Sequence, residues 1–267
     1  MPAVDIARLR IQSAAVTDHF DNPEQLLRAL HDMLDLYADR TRRPGRLTSP
    51  VTVLPAYNVP TPVLRQLETD LGFQGEERPG ELLLLADALW RDGYLETRLL
   101  AAYLLGRIPP GGDEFMDRLT DWVGGTREPN VRRTLLSVGL SRLRRENPEQ
   151  FLRLMSRWVN PIRHKMWSNA IQALLPLLSD PDFDNLPVVF DIVRPIIETA
   201  PATLQNDVAD LISGLYDASP TETTFYMRQI ATFSSHPQTR LNLRRILARL
   251  PEGLQEMLAE IVRSPQS

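Results

Sequence analysis

The chain has no cysteine, few glycines (13 among 267 residues) and no long apolar run. Without cysteine there can be no disulfide framework, no thiolate metal site and no cysteine nucleophile. The purest apolar run covers only 82–86, whereas a membrane helix needs about 20 such residues. The first 20 residues carry four charged side chains and lack the apolar core of a secretion signal. We therefore expect a soluble, cytoplasmic protein.

Motifs that carry chemistry are also scarce. The glycines form no phosphate-binding loop, and the four histidines are scattered without a zinc-binding pair. The acids between Asp180 and Asp191 have part of the spacing of a calcium loop, but Asn185 stands where that loop needs glycine. We predict no metal site and no cofactor.

Proline, in contrast, is abundant, with 22 residues. Many prolines follow a polar residue and precede an amphipathic stretch, as in Asn22-Pro23 and Ser219-Pro220. Proline suits the first helical position, and the polar residue before it can cap the free N–H groups. From Pro129 onwards such pairs recur every 13 to 20 residues, at positions 129, 148, 161, 181, 201, 220, 237 and 251. We interpret them as helix starts.

This spacing gives two helices per ~35–45 residues, which is typical of HEAT or armadillo solenoids. The apolar residues between the starts have a helical period, and no segment has a clean strand pattern. The sequence therefore predicts an all-α fold, a right-handed α-α superhelix of about thirteen helices. We expect one domain over 1–267, with an N-terminal helix at about 22–40 and a Pro- and Arg-rich connecting loop at about 41–60.

Charge is unevenly distributed along the chain. The net charge of −4 argues against general attraction to DNA. However, residues 127–165 hold ten cations and three acids, whereas 180–224 hold nine acids and one cation. A basic stripe on the concave face of a solenoid would bind a phosphate backbone. The candidate nucleic-acid-binding residues are Arg132, Arg133, Arg144, Arg145, Arg163, Lys165 and Trp167. The alternative is that these arginines face solvent and pair with neighbouring acids.

Two further segments carry a family resemblance. The segment from Tyr57 to Leu67 is similar to a "GI-x-TP-x-x-R" motif, and Leu89 to Ala101 is similar to an "LW … E-x-R-x-x-A" helix pair. Together they resemble the AlkD family of DNA alkylation repair glycosylases. The resemblance implies a HEAT-like solenoid that holds alkylated nucleotides against a concave face.

The catalytic residues of that family do not carry over. Its "WWD-x-x-D" stretch lies over Arg127–Arg132, where neither tryptophan is present and the Asp position is occupied by Arg132. The family's arginine falls near Asn169. A cation in place of the acid would repel a cationic base.

Three hypotheses for the function remain. The first is a nucleic-acid-binding member without catalysis, which uses the basic stripe. The second is an interaction scaffold for a protein partner, a common use of α-solenoids. The third is an active alkylpurine glycosylase with a relocated acid, for which Asp121 and Glu128 are the candidates. In each case we expect a monomer that does not bind membranes.

Overall fold

The computed structural model describes residues 5–40, 52–73, 77–162 and 164–263. Every regular element in these ranges is helical, which confirms the predicted all-α fold. Within them, no helix is long and apolar enough to pass through a bilayer. The chain divides into two compact units, Met1–Asn147 and Pro148–Ser267. The single-domain organisation therefore stays a prediction.

The first unit holds eight α-helical segments. They are α1 Ile6–Thr17, α2 Pro23–Tyr37, α3 Thr61–Gly72, α4 Pro79–Asp92, α5 Leu95–Leu105, α6 Asp113–Gly125, α7 Pro129–Thr134 and α8 Ser141–Glu146. A π-helical turn, Leu135–Gly139, joins α7 to α8. Helix α2 corresponds to the predicted N-terminal helix, and α1 precedes it. Of the predicted connecting loop, residues 41–51 lie outside the described residues, and 52–60 contain no helix.

The second unit holds seven α-helices. They are α9 Pro148–Trp158, α10 Trp167–Leu178, α11 Leu186–Thr199, α12 Gln205–Ala218, α13 Pro220–Phe233, α14 Thr239–Ile246 and α15 Glu252–Arg263. A short 3₁₀ turn, Leu247–Arg249, follows α14. Because α7 and α8 are successive parts of one helical stretch, the described residues contain fourteen helices against about thirteen predicted.

Several prolines mark helix starts as predicted. Pro23 opens α2, where the Asn22 side chain caps the Gln25 N–H at 3.1 Å. Pro79, Pro129, Pro148 and Pro220 likewise lie at the first position of their helices. A fixed φ and the missing N–H both suit that position.

Four predicted starts, at Pro161, Pro181, Pro201 and Pro237, do not open an α-helix. The helices α10, α11, α12 and α14 begin only at Trp167, Leu186, Gln205 and Thr239. Two of these pairs form a different local structure. The Asn160 side-chain oxygen accepts the Ile162 N–H at 2.8 Å, and Asp180 accepts the Asp182 N–H at 3.1 Å. A polar side chain that bonds two residues ahead makes an Asx turn rather than a helix cap. The prolines 161 and 181 lie inside these turns.

The π-helical turn packs unusually close to α5. A Cβ on Gly106 would lie 2.2 Å from the Val138 carbonyl oxygen, and one on Gly139 would lie 3.2 Å from the Ala102 carbonyl oxygen. The two backbones therefore meet directly, with glycine on each side. This contact holds α7 and α8 in place against the fully buried Leu100 and its neighbours in α5.

Candidate nucleic-acid interface

A stretch of extended chain, residues 52–60, is held down by two buried carboxylates of the first unit; we call it the strap. Glu96, in the first turn of α5, is 2% exposed. Its carboxylate accepts the Asn58 N–H at 2.7 Å and the Tyr57 N–H at 3.1 Å. The Leu95 N–H donates to the Pro55 carbonyl at 2.9 Å. The acid of the "E-x-R" motif is thus an anchor for the strap.

The strap also explains the glycine of the "GI-x-TP" motif. Asn58 occupies that position and has φ = 57°, the one left-handed backbone among the described residues other than glycine. Asparagine tolerates this conformation better than most residues, whereas glycine adopts it without strain. The turn at Asn58 points its own N–H and that of Tyr57 towards Glu96.

Glu128, one of the two predicted relocated acids, holds the other end of the strap. It is 2% exposed, and its carboxylate accepts the Val53 N–H at 3.0 Å. A carboxylate enclosed in this way has no open side for a substrate. Its geometry is that of a structural anchor, so of the two candidate acids only Asp121 presents its carboxylate to solvent.

Arg132 occupies a half-buried position on α7. Its Nη2 donates to the Thr126 carbonyl oxygen at 2.6 Å. Its Nε is buried and has no hydrogen-bond partner among the described residues. The guanidinium is therefore tied to the main chain just before Arg127 and is not neutralised by a carboxylate.

Arg127 and Arg133 flank this position and are both exposed. Within the described part of the chain, neither forms an ion pair or a side-chain hydrogen bond. Some other arginines of the first unit are neutralised. Arg118 forms a two-bond ion pair with Asp87, at 2.7 and 3.1 Å. These two exposed cations are thus free to bind an anion.

The candidate arginines further along this helical stretch, on α8, already have hydrogen-bond or ion-pair partners within the protein. Arg145 is exposed and lies 3.3 Å from a Glu146 carboxylate oxygen, which also binds Arg142. The hydrogen bonds from Arg142 and Arg145 hold the pKa of Glu146 below its usual value. Arg144 donates to the Ser137 carbonyl at 3.0 Å, within the π-helical turn. For Arg145, the alternative of pairing with a neighbouring acid is the one observed.

The candidate nucleic-acid-binding residues of the second unit differ in their exposure to solvent. Lys165 is exposed, and Arg163 lies outside the described residues. Trp167 is fully buried, and its indole N–H donates to the Asn160 carbonyl at 3.0 Å. A ring enclosed in the core has no face left for a base, so the expected stacking role of Trp167 is not supported. The concave groove that would gather these residues stays a prediction.

Asp121 lies in a shallow acidic groove on α6. The groove is lined by Glu114, Asp117, Arg118, Asp121 and Trp122. Asp121 is exposed and has no hydrogen-bond partner among the described residues. The Trp122 ring is 7% exposed and stacks in parallel on Trp90, with the ring centroids 4.3 Å apart. A carboxylate beside an indole is a suitable environment for a cation.

The opposite side of that indole pair is covered by an arginine. The Arg98 guanidinium lies 4.8 Å from the centroid of the Trp90 ring and donates to the Trp90 carbonyl at 3.3 Å. The "LW" and "R" positions of the motif are therefore packed on each other. Their role here is to join α4 to α5.

Sequence reasoning missed one polar cluster in the first unit. His31 contacts the Tyr57 hydroxyl through Nδ1 at 2.9 Å and Asp92 through Nε2 at 2.8 Å. Burial, followed by Tyr94 and nearby carboxylates, raises the pKa of the Tyr57 hydroxyl. A protonated Tyr57 can donate to Nδ1, which leaves the proton of a neutral ring on Nε2, facing Asp92. The three residues come from distant segments, so no local pattern signalled the cluster.

The cluster of His31, Tyr57 and Asp92 fixes the strap to α2 and α4. One polar atom of the cluster lacks a hydrogen bond. The second carboxylate oxygen of Asp92 is buried and has no partner among the described residues. The Tyr57 ring stacks on Tyr94, with centroids 5.2 Å apart. Over the part of the chain that the structure describes, no three His, Asp or Glu side chains are placed to hold a metal ion.

The fold and the site define an all-α protein in which buried carboxylates hold the strap and two exposed arginines lie on the surface. Residues 37–213 match the DNA alkylation repair enzyme family. Because the match includes 177 of the 267 residues, the protein belongs to this family. Neither a curated protein nor a solved structure matches the chain. The matched range includes the strap, Asp121, Arg127 and Arg133, and it ends within α12.

Proposed function

We propose that this protein binds DNA without cleaving the glycosidic bond, through a surface centred on Arg127 and Arg133. The observation that carries the proposal is that both arginines are exposed and unpaired among the described residues. An arginine presents a planar fork of donors that matches a phosphate group. An exposed cation that is already paired with an acid would contribute less binding free energy to an anionic partner.

The surroundings of these two arginines favour the same partner. Arg132 lies between them and adds a positive charge that no carboxylate of the described segments neutralises. At the position where the family places its acid, this protein carries that arginine. A positive charge there attracts a phosphate and repels a cationic alkylated base. Membership of a DNA repair family makes DNA the natural source of the phosphates.

Charge reversal tests this surface. Arg127→Glu with Arg133→Glu should lower the slope of log affinity against log salt by about 2, since each phosphate contact contributes about 0.9. We expect the loss to be uniform across DNA sequences, because phosphate contacts carry no base information. Fluorescence anisotropy with a labelled duplex at several salt concentrations measures both effects.

A matched variant controls for net charge. Arg8→Glu with Arg10→Glu changes two exposed arginines of α1 and alters the total charge equally. It should bind DNA nearly as well as the unaltered protein. An equal loss in both double variants, or no salt-sensitive binding by the unaltered protein, would refute the proposed surface.

A second candidate function rests on the groove beside Asp121. An exposed, unpaired carboxylate next to Trp122 could hold a cationic alkylpurine and stabilise the positive charge that develops when the base leaves. This is the glycosylase hypothesis with a relocated acid, and it is favoured only by this one arrangement. The parallel packing of Trp122 on Trp90 leaves little of the indole face for a base.

Release of free base decides this second candidate. With DNA that carries methylated purines, an active enzyme should release them, and Asp121→Asn should slow release by about 100-fold or more. Glu114→Gln, in the same groove, is the control and should retain the activity. If the unaltered protein releases no base over the spontaneous rate, the hypothesis is wrong.

A further inference from the structure

The second unit has a basic segment that the charge analysis overlooked. Residues 223–251 contain five arginines and no Asp or Glu. They lie after the family-matched range, which ends at residue 213. Four of the five belong to α14 and the 3₁₀ turn that follows it: Arg240, Arg244, Arg245 and Arg249.

The rotation of α14 about its axis is fixed by its inward face. The Asn242 side-chain amide donates to the Glu198 carbonyl at 3.2 Å, and the Thr239 hydroxyl donates to the same oxygen at 3.4 Å. Leu243 is fully buried. Side chains four residues apart share one helix face. The opposite face therefore carries Arg240 and Arg244 in one row, and Leu241 and Arg245 in the next. Arg249 follows in the 3₁₀ turn.

Three arginines of this face form no ion pair with a carboxylate among the described residues. Arg244 donates to the Val262 carbonyl at 3.0 Å, and Arg249 donates to the side-chain oxygen of Asn206. Arg245 is exposed and has no partner among the described residues. Carbonyl and amide oxygens orient a guanidinium without cancelling its charge. Arg244, Arg245 and Arg249 are exposed and therefore present positive charge to solvent.

Two of the acids on the helices next to α14 are themselves unpaired in the described part of the chain. Asp210 on α12 and Glu256 on α15 are both exposed, and neither forms an ion pair within the described residues. Both helices pack against α14. Acids beside a basic stripe repel a polyanion, so they would confine it to the stripe.

We propose that the outward face of α14 and its 3₁₀ turn is a second DNA-binding surface, which contacts the phosphate backbone of a duplex. Arginines four residues apart on a helix are about 6 Å apart along its axis. Along the duplex axis one strand carries a phosphate every ~3.4 Å, so the spacing within a row is close to two such steps. This surface lies outside the family-matched range and is separate from Arg127 and Arg133.

Separate charge reversals test the proposal. Arg244→Glu with Arg245→Glu in the full chain should weaken binding of a labelled 20-base-pair duplex about tenfold at low salt and lower the salt slope by about 2. Arg245→Glu alone removes no contact within the protein, so it should give about half the change in slope with unaltered thermal unfolding. Arg8→Glu with Arg10→Glu again controls for net charge.

The outcomes separate this inference from the proposed function. Loss of affinity in the α14 variants but not in the Arg127 and Arg133 variant supports the α14 surface and removes the other one. Loss only in the Arg127 and Arg133 variant overturns the α14 surface and leaves the proposed function intact. Binding that is unchanged in Arg245→Glu and in the double α14 variant also overturns it and directs the search to an acidic protein partner.

Discussion

Replacing Gly106 with alanine is expected to destabilise the first unit by about 3 kcal/mol, the upper end of the usual cost of overpacking. The added Cβ would lie 2.2 Å from the Val138 carbonyl oxygen and 3.0 Å from its carbonyl carbon. Both obstacles are backbone atoms, so no side-chain rotation can relieve the contact. Helix α5 and the π-helical turn must move apart, which also displaces the end of α7 that precedes the turn. Chemical denaturation followed by circular dichroism measures the loss.

Gly80→Ala is the matched control for this prediction. A Cβ on Gly80 meets nothing within 4 Å, and the residue lies in the first turn of α4. Alanine there should be neutral or stabilise by about 0.5 kcal/mol, because it restricts the unfolded chain. Equal stability of the two variants would show that α5 and the turn do not meet as closely as described. The Gly106 variant should also bind DNA less well, since α7 carries Arg133.

Replacing Glu96 with alanine should cost about 3 kcal/mol. The buried carboxylate accepts two main-chain N–H groups of the strap. Leaving a buried donor unsatisfied costs about 1–3 kcal/mol, and bonds to charged groups are the stronger ones. We expect the strap to detach, so the amides of Tyr57 and Asn58 should exchange with solvent much faster. Hydrogen exchange measured by mass spectrometry on the strap peptide follows this directly.

Glu24→Ala provides the comparison for the strap. Glu24 also lies in the first turn of its helix, α2, but its side chain is 87% exposed and its ion-pair partner Arg28 is 3.9 Å away. Both variants lose a favourable interaction with the helix dipole, worth about 0.5 kcal/mol. The remaining difference in the free energy of unfolding between the two variants measures the anchoring of the strap. If the Glu96 variant loses no more stability than this control, Glu96 is not the anchor.

The helices could be predicted from the sequence because the patterns that indicate them are local. A polar residue before proline and an apolar period of 3.6 depend only on neighbours a few positions away. This reasoning located α2, α7, α9 and α13 correctly. It failed at Pro161 and Pro181, where the same polar-proline pair forms an Asx turn. The pair restricts the backbone in both settings, and the packing of the next helix decides between them.

The candidate site was less accessible. The sequence identified arginine-rich segments but not which arginines are free. Arg145 is close to Glu146, whereas Arg133 forms no ion pair among the described residues. The buried position of Trp167 and the anchoring role of Glu128 depend on partners up to 75 residues away. The arginines of α14 were overlooked because acids elsewhere in the chain cancel their contribution to the net charge.

The sequence by itself determined that this protein is all-α, free of thiol chemistry and similar to a DNA alkylation repair family. These properties follow from composition, local periodicity and motif spacing, which do not require a folded chain. Only the tertiary structure decided which charges are neutralised, that Glu96 and Glu128 hold the strap, and that Gly106 admits the π-helical turn. Ion pairing and burial depend on distances between residues far apart in the chain, and those distances exist only after the helices have packed.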